Sequence, residues 1–435
     1  MHKLTILLSS LILMLAFVMG GCEKNPFKPG ADNDSHPIVW QYKYDQHQTL
    51  SDVVPAMDEN GNIFFSIQNG ERQKDVYVFA NDKDGNALWD KQYSSTNYVD
   101  LSRVMYIDKK IVFVVSVYDD LSYFQETIYC VNAVDGTEIW HYTPDFKTEG
   151  LIEAMAVTSE YMIVAAKWGG DYPDIDELHY LNLSSGALVK SIDFGDNDVK
   201  LISIVGNNAY LGVRSVDAAG FYAPQLVKME LESNHIYWTY TPEYEGEVNY
   251  VFKQRSIPLD ANNRGYLIVR SQSGVDNMYI NIINDDGTLD ETITLQPGNF
   301  SNPLNDLLID KDNNFYTVIE GYSKLSPNNS QLWEFQSGTT VPNSRFHTGC
   351  AIGNNGIVYH AEDGGILNVN SIGEIDWAKY DETNFTKPGY PLLTEEGNIV
   401  VVGDLFVSCV KGDGARIQDA PWPRVYQNNG NTSSR

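Results

Sequence analysis

A tight turn followed by a strand that ends in tryptophan recurs along this chain of 435 residues. Clear copies occupy residues 84–89 (DGNALW), 135–140 (DGTEIW) and 371–377 (SIGEIDW). A repeat of about 40 to 50 residues is typical of the blades of a propeller. The interval here is 43 to 52 residues, measured between Trp40, Trp89, Trp140, Val189, Trp238, Asp290, Trp333 and Trp377.

Each unit also shows a regular pattern of strands. Residues 53–57, the turn at 58–62 and residues 63–67 are typical of a strand, a tight turn and a second strand. A third strand, such as residues 127–132, precedes the turn, and the tryptophan strand is the fourth. Four antiparallel strands make one blade. Since no long stretch shows helical spacing of apolar residues, the sequence predicts an all-β protein.

The number of units predicts the size of the ring. Eight units fit between Trp40 and Ile417, so we predict a single eight-bladed β-propeller of four-stranded antiparallel blades in residues 38–435. Seven blades are the alternative if the weak unit around Asp286 or the last unit is irregular. The Trp40 strand has no preceding partner strands, so we expect it to join the last blade and close the ring.

The N-terminal residues predict export. Residues 4–19 form an apolar run after Lys3, and the run is short for a membrane span, so residues 1–21 are predicted to be a signal peptide. Residues 18–22 (VMGGC) resemble a bacterial lipobox, in which the cysteine is lipidated, although Met19 stands where leucine is usual. A signal peptide followed by a chance cysteine is the alternative.

Lipidation of Cys22 would tether the protein to a membrane. Residues 22–37 are rich in Pro, Gly, Asp and Asn and are predicted to be a polar tether. We therefore expect a lipid-anchored protein of the bacterial cell envelope, with the outer membrane favoured and the folded domain in the periplasm or at the cell surface. The sequence does not indicate which membrane leaflet carries the anchor.

The composition narrows the classes of partner. The chain has 30 Lys+Arg and 58 Asp+Glu, which gives a formal net charge of −28. Its 43% apolar and 12% aromatic content excludes an intrinsically disordered chain. Because so acidic a surface repels phosphate groups, we expect no nucleic-acid partner and no membrane contact except through the lipid.

The repeat resembles a known family. Residues 135–140 are similar to the tryptophan-docking repeat of PQQ-like β-propellers, the fold of quinoprotein dehydrogenases and of the lipoprotein in the outer-membrane β-barrel assembly machinery. Residues 420–424, with Asn428, Asn431 and Thr432 behind them, resemble a terminal segment common in that family. The resemblance covers roughly residues 38 to 432 and implies that the tryptophans pack structurally between blades. These are Trp40, Trp89, Trp140, Trp238, Trp333, Trp377 and Trp422.

The resemblance also raises the question of quinoprotein catalysis. Enzymes of that class usually carry adjacent cysteines beside the quinone, and a carboxylate and amide set that holds calcium. Here Cys22, Cys130, Cys350 and Cys409 are all apart in sequence. Cys130 and Cys409 occupy equivalent third-strand positions, which predicts small buried core residues. We therefore expect neither PQQ nor Ca²⁺ as a cofactor and no dehydrogenase activity.

Other chemical motifs are incomplete. The turns at 58–62, 82–86 and 310–314 resemble fragments of calcium loops, but hairpin turns explain them better. His347, Cys350 and His360 are soft ligands, yet His347 and Cys350 are three residues apart and so face opposite sides of a regular strand. We predict no metal site. The sequence also contains no Gly-x-Ser-x-Gly elbow, no His-Glu-x-x-His and no glycine-rich phosphate loop, so no catalytic residue is predicted.

The first strands of the blades are expected to line a central channel. Aligning these strands places Arg103, Glu153, Arg255 and Asn305 in one column. A polar funnel at the axis is a common ligand site in propellers, and a solvated channel lining is the alternative.

Together these features predict a lipid-anchored extracytoplasmic propeller that acts as a non-catalytic protein-binding scaffold. Envelope proteins are the expected partners, with loops on one face of the ring as the contact surface. One alternative is a propeller that binds a glycan or a small ligand, using the funnel or the aromatic loops around Trp168, Tyr172, Tyr222 and Tyr244. The other alternative is a PQQ-dependent dehydrogenase.

Overall fold

The computed structural model describes residues 36–44, 53–68, 74–118, 124–145, 150–168, 175–195, 197–216, 222–243, 250–252, 254–271, 278–295, 307–318, 322–328, 330–335, 349–362, 365–380, 385, 389–424, 426–428 and 432. The predicted signal peptide, Cys22 and most of the predicted tether lie outside this part of the chain. Its regular secondary structure consists of strands. Within the same residues, no helix has the length and apolar character needed to cross a membrane.

Eight antiparallel sheets form the blades of an eight-bladed β-propeller, which confirms the predicted fold class. Strand β1 (Ile38–Lys43) precedes blade 1 and belongs to blade 8. Blade 1 contains β2 (Ala56–Met57), β3 (Ile63–Gln68), β4 (Asp75–Asn81) and β5 (Ala87–Ser94). Blade 2 contains β6 (Tyr98–Leu101), β7 (Met105–Ile107), β8 (Lys110–Tyr118), β9 (Phe124–Asn132) and β10 (Glu138–Tyr142). Blade 3 contains β11 (Gly150–Val157), β12 (Tyr161–Trp168), β13 (Ile175–Asn182) and β14 (Leu188–Asp193).

The remaining blades follow in chain order. Blade 4 contains β15 (Asp198–Val205), β16 (Asn208–Val216), β17 (Tyr222–Glu230) and β18 (Ile236–Tyr240). Blade 5 contains β19 (Tyr250–Phe252), β20 (Gly265–Ser271), β21 (Met278–Ile283) and β22 (Leu289–Leu295). Blade 6 contains β23 (Leu307–Ile309), β24 (Phe315–Val318), β25 (Tyr322–Leu325) and β26 (Gln331–Phe335). Blade 7 contains β27 (Cys350–Ile352), β28 (Val358–Glu362), β29 (Gly365–Val369) and β30 (Ile375–Tyr380). Blade 8 contains β31 (Leu392–Leu393), β32 (Ile399–Val402), β33 (Phe406–Val410) and β1.

Blade 8 is built from both ends of the described chain. Strand β1 pairs antiparallel with β33, so that Ile38 lies opposite Val410 and Trp40 lies opposite Cys409. The other blades take all their strands from one continuous stretch. The N-terminal strand therefore joins the last blade to the first and closes the ring.

The core lies between neighbouring blades. Phe64 of blade 1 and Phe113 of blade 2 belong to one buried cluster, and both side chains are fully buried. Val112, on the other face of blade 2, belongs to the cluster shared with blade 3. Because an inner strand is buried on both faces, it forms a nearly continuous apolar run, as in β32.

In the six blades whose fourth strand carries a tryptophan, this residue packs against the turn between strands three and four of the next blade. Trp140 Nε1 donates a hydrogen bond to the Leu183 carbonyl at 3.0 Å. A Cβ atom on Gly186 would lie 2.6 Å from the Trp140 ring, and Gly186 has φ of +69°. Glycine is therefore required there both by the close approach and by the backbone. The same pairing joins Trp40 to Gly85, Trp89 to Gly136, Trp238 to Gly287 and Trp333 to Gly373.

The structure corrects two of the repeat positions. When the fourth strands are aligned by the turns that precede them, the residue that takes the tryptophan's place in blade 3 is Lys190. We call this place the docking position. Val189, next to Lys190, is exposed. In blade 5 the equivalent residue is Glu291, which lies opposite Ile282, and not Asp290. Each fourth strand contains a one-residue irregularity in register near its start, so an alignment without tryptophan to anchor it shifts by one position.

Candidate functional site

The first strand of blade 2 is interrupted at the channel. Strands β6 and β7 both pair with β8, and residues 102–104 separate them. Ser102 partly replaces the broken ladder, because its backbone N–H donates to the Val114 carbonyl at 3.0 Å and its Oγ accepts from the Val114 N–H at 2.9 Å. Arg103 follows and lines the channel.

A cavity at the axis brings three of the four predicted funnel residues together. Arg103, Glu153 and Arg255 all line a cavity of about 240 Å³. A second cavity of about 340 Å³ shares Arg103 and Arg255 with it, and Tyr426 borders both. We call the two cavities together the axial well. Asn305 lies outside the described residues.

The C-terminal segment, of which the structure describes residues 416–424, 426–428 and 432, lies across one end of the channel. Trp422 exchanges two backbone hydrogen bonds with Ile309, and the Ile352 N–H donates to the Pro423 carbonyl. Val157 donates in the same way to Thr432 at 3.2 Å. Ile309, Ile352 and Val157 are the last residues of the first strands of blades 6, 7 and 3. The described residues of the segment therefore lie across the channel at the end where these first strands finish.

Two residues of this segment are entirely buried. Trp422 lies on the C-terminal segment rather than on an outer strand, and it belongs to a buried cluster that contains residues of blades 5 and 6. Arg424 has no exposed surface, and its Nη2 donates to the Pro55 carbonyl at 3.0 Å. Contacts with blades 1, 3, 6 and 7 thus hold the segment across the ring.

Tyr426 forms part of the floor of the well. The Arg103 Cζ atom lies 3.5 Å from the centre of the Tyr426 ring, and Arg103 Nη2 donates to the Met155 carbonyl. Tyr426 has φ of +57°, a conformation uncommon for a bulky residue, so the fold holds the ring under Arg103 at some cost in backbone strain. Burial first, and then the neighbouring Arg255, lowers the pKa of the Arg103 guanidinium, which stays protonated near neutral pH.

The wall of the well also holds a buried carboxyl group. Glu126 on β9 accepts hydrogen bonds from Ser116 Oγ at 2.7 Å and from the Ile152 N–H of the next blade. Burial raises the pKa of Glu126 to about 7, and the charges of Glu153 and Asp100 act in the same direction. Near neutral pH this group is therefore divided between its neutral and ionised forms.

Glu153 belongs to a network of ion pairs beside the well. Its carboxylate pairs with Lys200, whose ammonium also lies 3.4 Å from Asp198 Oδ2. Asp198 is buried and also pairs with Lys167 at 2.7 Å and with Arg214. Three cations thus meet two carboxylates at blades 3 and 4, and the negative charge of Glu153 is already compensated.

Arg255 lies on the opposite side of the well, just after β19. Its Cζ is 5.1 Å from the centre of the Tyr390 ring. Tyr390 is fixed in turn, because its backbone N–H donates to the Val53 carbonyl at 2.8 Å. The aromatic ring supports the guanidinium at the cavity wall.

The residues present do not fit the cofactors of quinoprotein enzymes. Cys130, Cys350 and Cys409 are buried and lie on three different blades, so they do not form the adjacent pair that the resemblance implies. Cys130 and Cys409 are buried core residues, as predicted, and burial raises the pKa of both thiols to about 12. Among the described residues, no group of three or more His, Cys, Asp or Glu side chains is arranged to hold a metal ion.

The turns that resemble calcium loops are hairpin turns, as predicted. The first aspartate of each turn accepts two backbone N–H groups from its own turn, at 2.8 to 2.9 Å; these are Asp58, Asp82 and Asp310. Of the considered zinc ligands, Cys350 and His360 lie opposite each other on β27 and β28, while His347 lies outside the described residues. Of the aromatic residues considered for glycan binding, Trp168 is the last residue of β12 and Tyr222 is the first residue of β17. Tyr172 and Tyr244 lie outside the described residues.

Sequence reasoning missed Glu126 and Tyr426. Glu126 is an acidic residue in a third strand that is otherwise rich in β-branched and aromatic residues, and that contrast was the available signal. Tyr426 follows the recognised terminal segment by two residues, but nothing in the repeat predicts that it meets Arg103. Asp100, which also lines the well, stands three residues before Arg103 in the interrupted first strand.

Comparisons with known proteins support the fold. No protein-family model matches the sequence, and no curated protein matches it. The structure is similar to quinohemoprotein alcohol dehydrogenase from Comamonas testosteroni, with a TM-score of 0.57 and 12% identity over 89% of this chain and 77% of that one. It is also similar to a quinohemoprotein alcohol dehydrogenase from Pseudomonas putida, with a TM-score of 0.51 and 13% identity over 92% and 80% of the two chains. At these identities the likeness shows a β-propeller fold and nothing about activity.

Proposed function

We propose that this protein is a non-catalytic binding propeller of the bacterial envelope, held at a membrane, with the outer membrane favoured, by lipid on Cys22. In this proposal its partners are envelope proteins. It uses neither PQQ nor Ca²⁺, and it does not bind nucleic acid.

The observation that carries the proposal is the course of the C-terminal segment. The described residues of this segment bond to the ends of first strands in blades 3, 6 and 7, and Tyr426 lies against Arg103 at the axial well. The axial well is of modest volume, and among the described residues we find neither the cysteine pair nor the metal-ligand set that a quinone site would need. The larger surface available to a partner is the outside of the ring.

The outer strands supply a regular apolar surface. In six blades the residue just before the docking position is apolar and 42 to 53% exposed. We call these residues the outer apolar row: Val39, Leu88, Ile139, Val189, Tyr237 and Leu332. Five of them lie on consecutive blades, from blade 8 through blade 4, while blades 5 and 7 carry Asp290 and Asp376 at this position. Recurrent exposed apolar side chains favour a protein partner.

Site-specific photo-crosslinking in cells tests this surface. A crosslinking residue at Ile139 or Tyr237 is expected to capture the same envelope protein, because both belong to the outer apolar row. Asp376 is the matched control, since it occupies the same strand position on blade 7. No crosslink at the row, or equal crosslinks at Asp376, would contradict the proposal.

Two further experiments address the anchor and the chemistry. Cys22→Ser should move the protein from the membrane fraction to the soluble fraction, and continued membrane association would refute the lipid anchor. Reconstitution with PQQ and Ca²⁺, followed by a dye-reduction assay with alcohols, should give no turnover. Turnover would establish the dehydrogenase alternative instead.

A second candidate function is binding of a glycan or a small ligand in the axial well. The cavity between Arg103 and Arg255 favours it. This function is compatible with a protein partner on the outer strands, because the two surfaces are separate.

A further inference from the structure

We infer that the outer edge of β18 is a docking site to which a partner protein adds an extended segment as a fifth strand of blade 4. The added segment is apolar in its middle and basic at both ends. This inference rests on the proposed function, and it names where on the outer strands the partner binds and in what form. The argument depends on the charges of the outer strands, the exposed side chains of β18 and the acidic residues at its two ends.

Strand β18 differs from the other outer strands in carrying no charge. It is the outermost strand of blade 4 and pairs with β17 on its inner side. Its sequence is IYWTY, whereas each of the other seven outer strands that the structure describes contains at least one Asp, Glu, Lys or Arg. Proteins usually protect an edge strand with charges or proline, because its outward N–H and C=O groups can otherwise pair with another chain. Since β18 has neither, its edge is open to strand addition.

The exposed side chains of β18 offer an apolar contact that is already ordered. Ile236 and Tyr237 are adjacent, and they are 46% and 48% exposed. The Tyr237 hydroxyl donates a hydrogen bond to Glu230 at 3.2 Å, and the Tyr237 ring meets the His235 ring edge-on at 5.1 Å. Because these contacts restrict the Tyr237 side chain, a partner that packs on it loses less conformational entropy on binding.

Carboxylates lie just beyond both ends of β18. Glu232 precedes the strand, Glu243 follows it, and both residues are exposed. Residues 230–243 include three glutamates and contain no Lys or Arg. A Lys or Arg at each end of an added segment would therefore meet a carboxylate of opposite charge. The middle of the segment should be apolar, because a charge buried against Tyr237 or Thr239 would lose its hydration.

The same charges argue against a second copy of this chain as the occupant. In an antiparallel pair of two β18 strands, the start of one strand lies against the end of the other. Glu232 of one protomer would then approach Glu243 of its partner, and in a parallel pair the two copies of Glu232 would meet. Like charges across a strand pair are destabilising, and two chains of formal charge −28 also repel each other at longer range. A basic segment of a different protein avoids both costs.

Binding of a labelled peptide to the purified full-length protein in detergent tests the inference. The probe is a nine-residue peptide of alternating valine and threonine with an arginine at each end, and fluorescence anisotropy measures its affinity. One comparison peptide has glutamate at both ends, and the other has a proline in the middle, which cannot donate to a strand ladder. The arginine-ended peptide should bind about tenfold more tightly than either comparison peptide. It should also slow amide hydrogen exchange in residues 236–240.

Matched variants locate the site on the ring. Thr239→Lys places a charge on the open edge and should weaken peptide binding by about tenfold or more. Thr292→Lys is the control and should leave the affinity unchanged. Thr292 follows the docking position of blade 5 as Thr239 follows that of blade 4, and both side chains are exposed. Glu243→Gln should weaken binding of the arginine-ended peptide and reduce its dependence on salt. Thermal melts establish that each variant is folded.

Four results would overturn the inference: no binding of the arginine-ended peptide, equal binding of the three peptides, equal losses in Thr239→Lys and Thr292→Lys, or unchanged exchange in residues 236–240. Dimerisation of the protein that Thr239→Lys abolishes would also overturn it, since the edge would then hold a second copy. If crosslinking in cells succeeds while these measurements fail, the protein partner stands and strand addition is ruled out. The reverse result would count against the envelope partner and leave strand addition at β18 supported.

Discussion

Lys190 Nζ donates a hydrogen bond to the Leu231 carbonyl at 2.8 Å, in the place where a tryptophan indole donates to a turn carbonyl at four other junctions, those of Trp40, Trp89, Trp140 and Trp238. The same ammonium group donates to Asn234 Oδ1 at 2.7 Å. Asn234 takes the place that glycine holds in the neighbouring turns and has φ of +60°. Because a lysine lies there instead of an indole ring, this turn has room for a Cβ atom.

This relationship predicts a strong coupling between the two positions. Lys190→Trp alone should destabilise the protein by about 1–3 kcal/mol, because the indole would meet the Asn234 side chain. The double variant Lys190→Trp with Asn234→Gly recreates the usual junction and should regain that loss. Urea unfolding of the single and double variants measures the coupling, and additive effects would refute it.

Replacing the glycine that a tryptophan packs against should destabilise the protein much more than replacing a glycine that also has positive φ but no close neighbour. Gly186→Ala adds a Cβ 2.6 Å from the Trp140 ring and should cost about 2–4 kcal/mol. Gly206→Ala is the control, because Gly206 also has positive φ, +56°, but a Cβ there meets nothing within 4 Å. Its cost should be about 1 kcal/mol, from the backbone alone. Equal losses would show that the tryptophan contact contributes little.

Glu126 should make the protein less stable as the pH rises. In the folded state its carboxyl group keeps its proton up to about pH 7, whereas an ordinary glutamate releases it near pH 4.5. Between these values the folded state binds more protons than the unfolded state, so stability falls with rising pH and levels off above about 7.

Glu126→Gln should therefore stabilise the protein at pH 8 by up to about 3 kcal/mol and change little at pH 4. The amide can still accept from the Ile152 N–H and donate to Ser116. Glu160→Gln, on an exposed turn, controls for the change in net charge. Urea unfolding at both pH values provides the measurement, and an equal effect at pH 4 and pH 8 would contradict the assignment.

The C-terminal segment should depend on Arg424. Arg424→Ala removes a fully buried side chain and leaves the Pro55 carbonyl without its donor, so we expect a loss of about 2–4 kcal/mol. Arg416→Ala, in an exposed ion pair, should change stability by less than about 0.5 kcal/mol. Thermal or urea unfolding compares the two. If Arg424→Ala and Arg416→Ala lower the stability by the same amount, Arg424 does not hold the C-terminal segment in place.

Much of the architecture follows from the repeat, and the exceptions have physical causes. Tryptophan marks a junction because only a large flat side chain fills the space above a glycine turn, so the period predicts the eight blades. The column of Arg103, Glu153 and Arg255 could be aligned because each residue lies in the first-strand region of its blade, before the hairpin turn that begins the second strand. The docking position of blade 3 was assigned to Val189 instead of Lys190 for two reasons. A lysine does not resemble the tryptophan of the other blades, and the fourth strand is irregular in register near its start.

The floor of the site could not be predicted in the same way. Tyr426 and Arg424 lie beyond the last repeat, where no periodicity restricts the path of the chain. Their contacts with Arg103 and Pro55 join residues more than three hundred positions apart. Such contacts depend on how the ring closes, which local sequence patterns do not encode.

The pairing of β1 with β33 joins the two ends of the propeller chain within blade 8, and we call this junction the seam. Closing a loop of 372 residues, from Ile38 to Val410, costs about 5 kcal/mol of chain entropy. This entropy cost is offset by the pairing of the two strands and by Trp40, which packs against the Gly85 turn of blade 1. The chain that precedes His36 runs directly into this strand. A pulling force applied through that part of the chain therefore acts on the pairing of β1 with β33 before it acts on any other blade, and the ring would open at this pairing first.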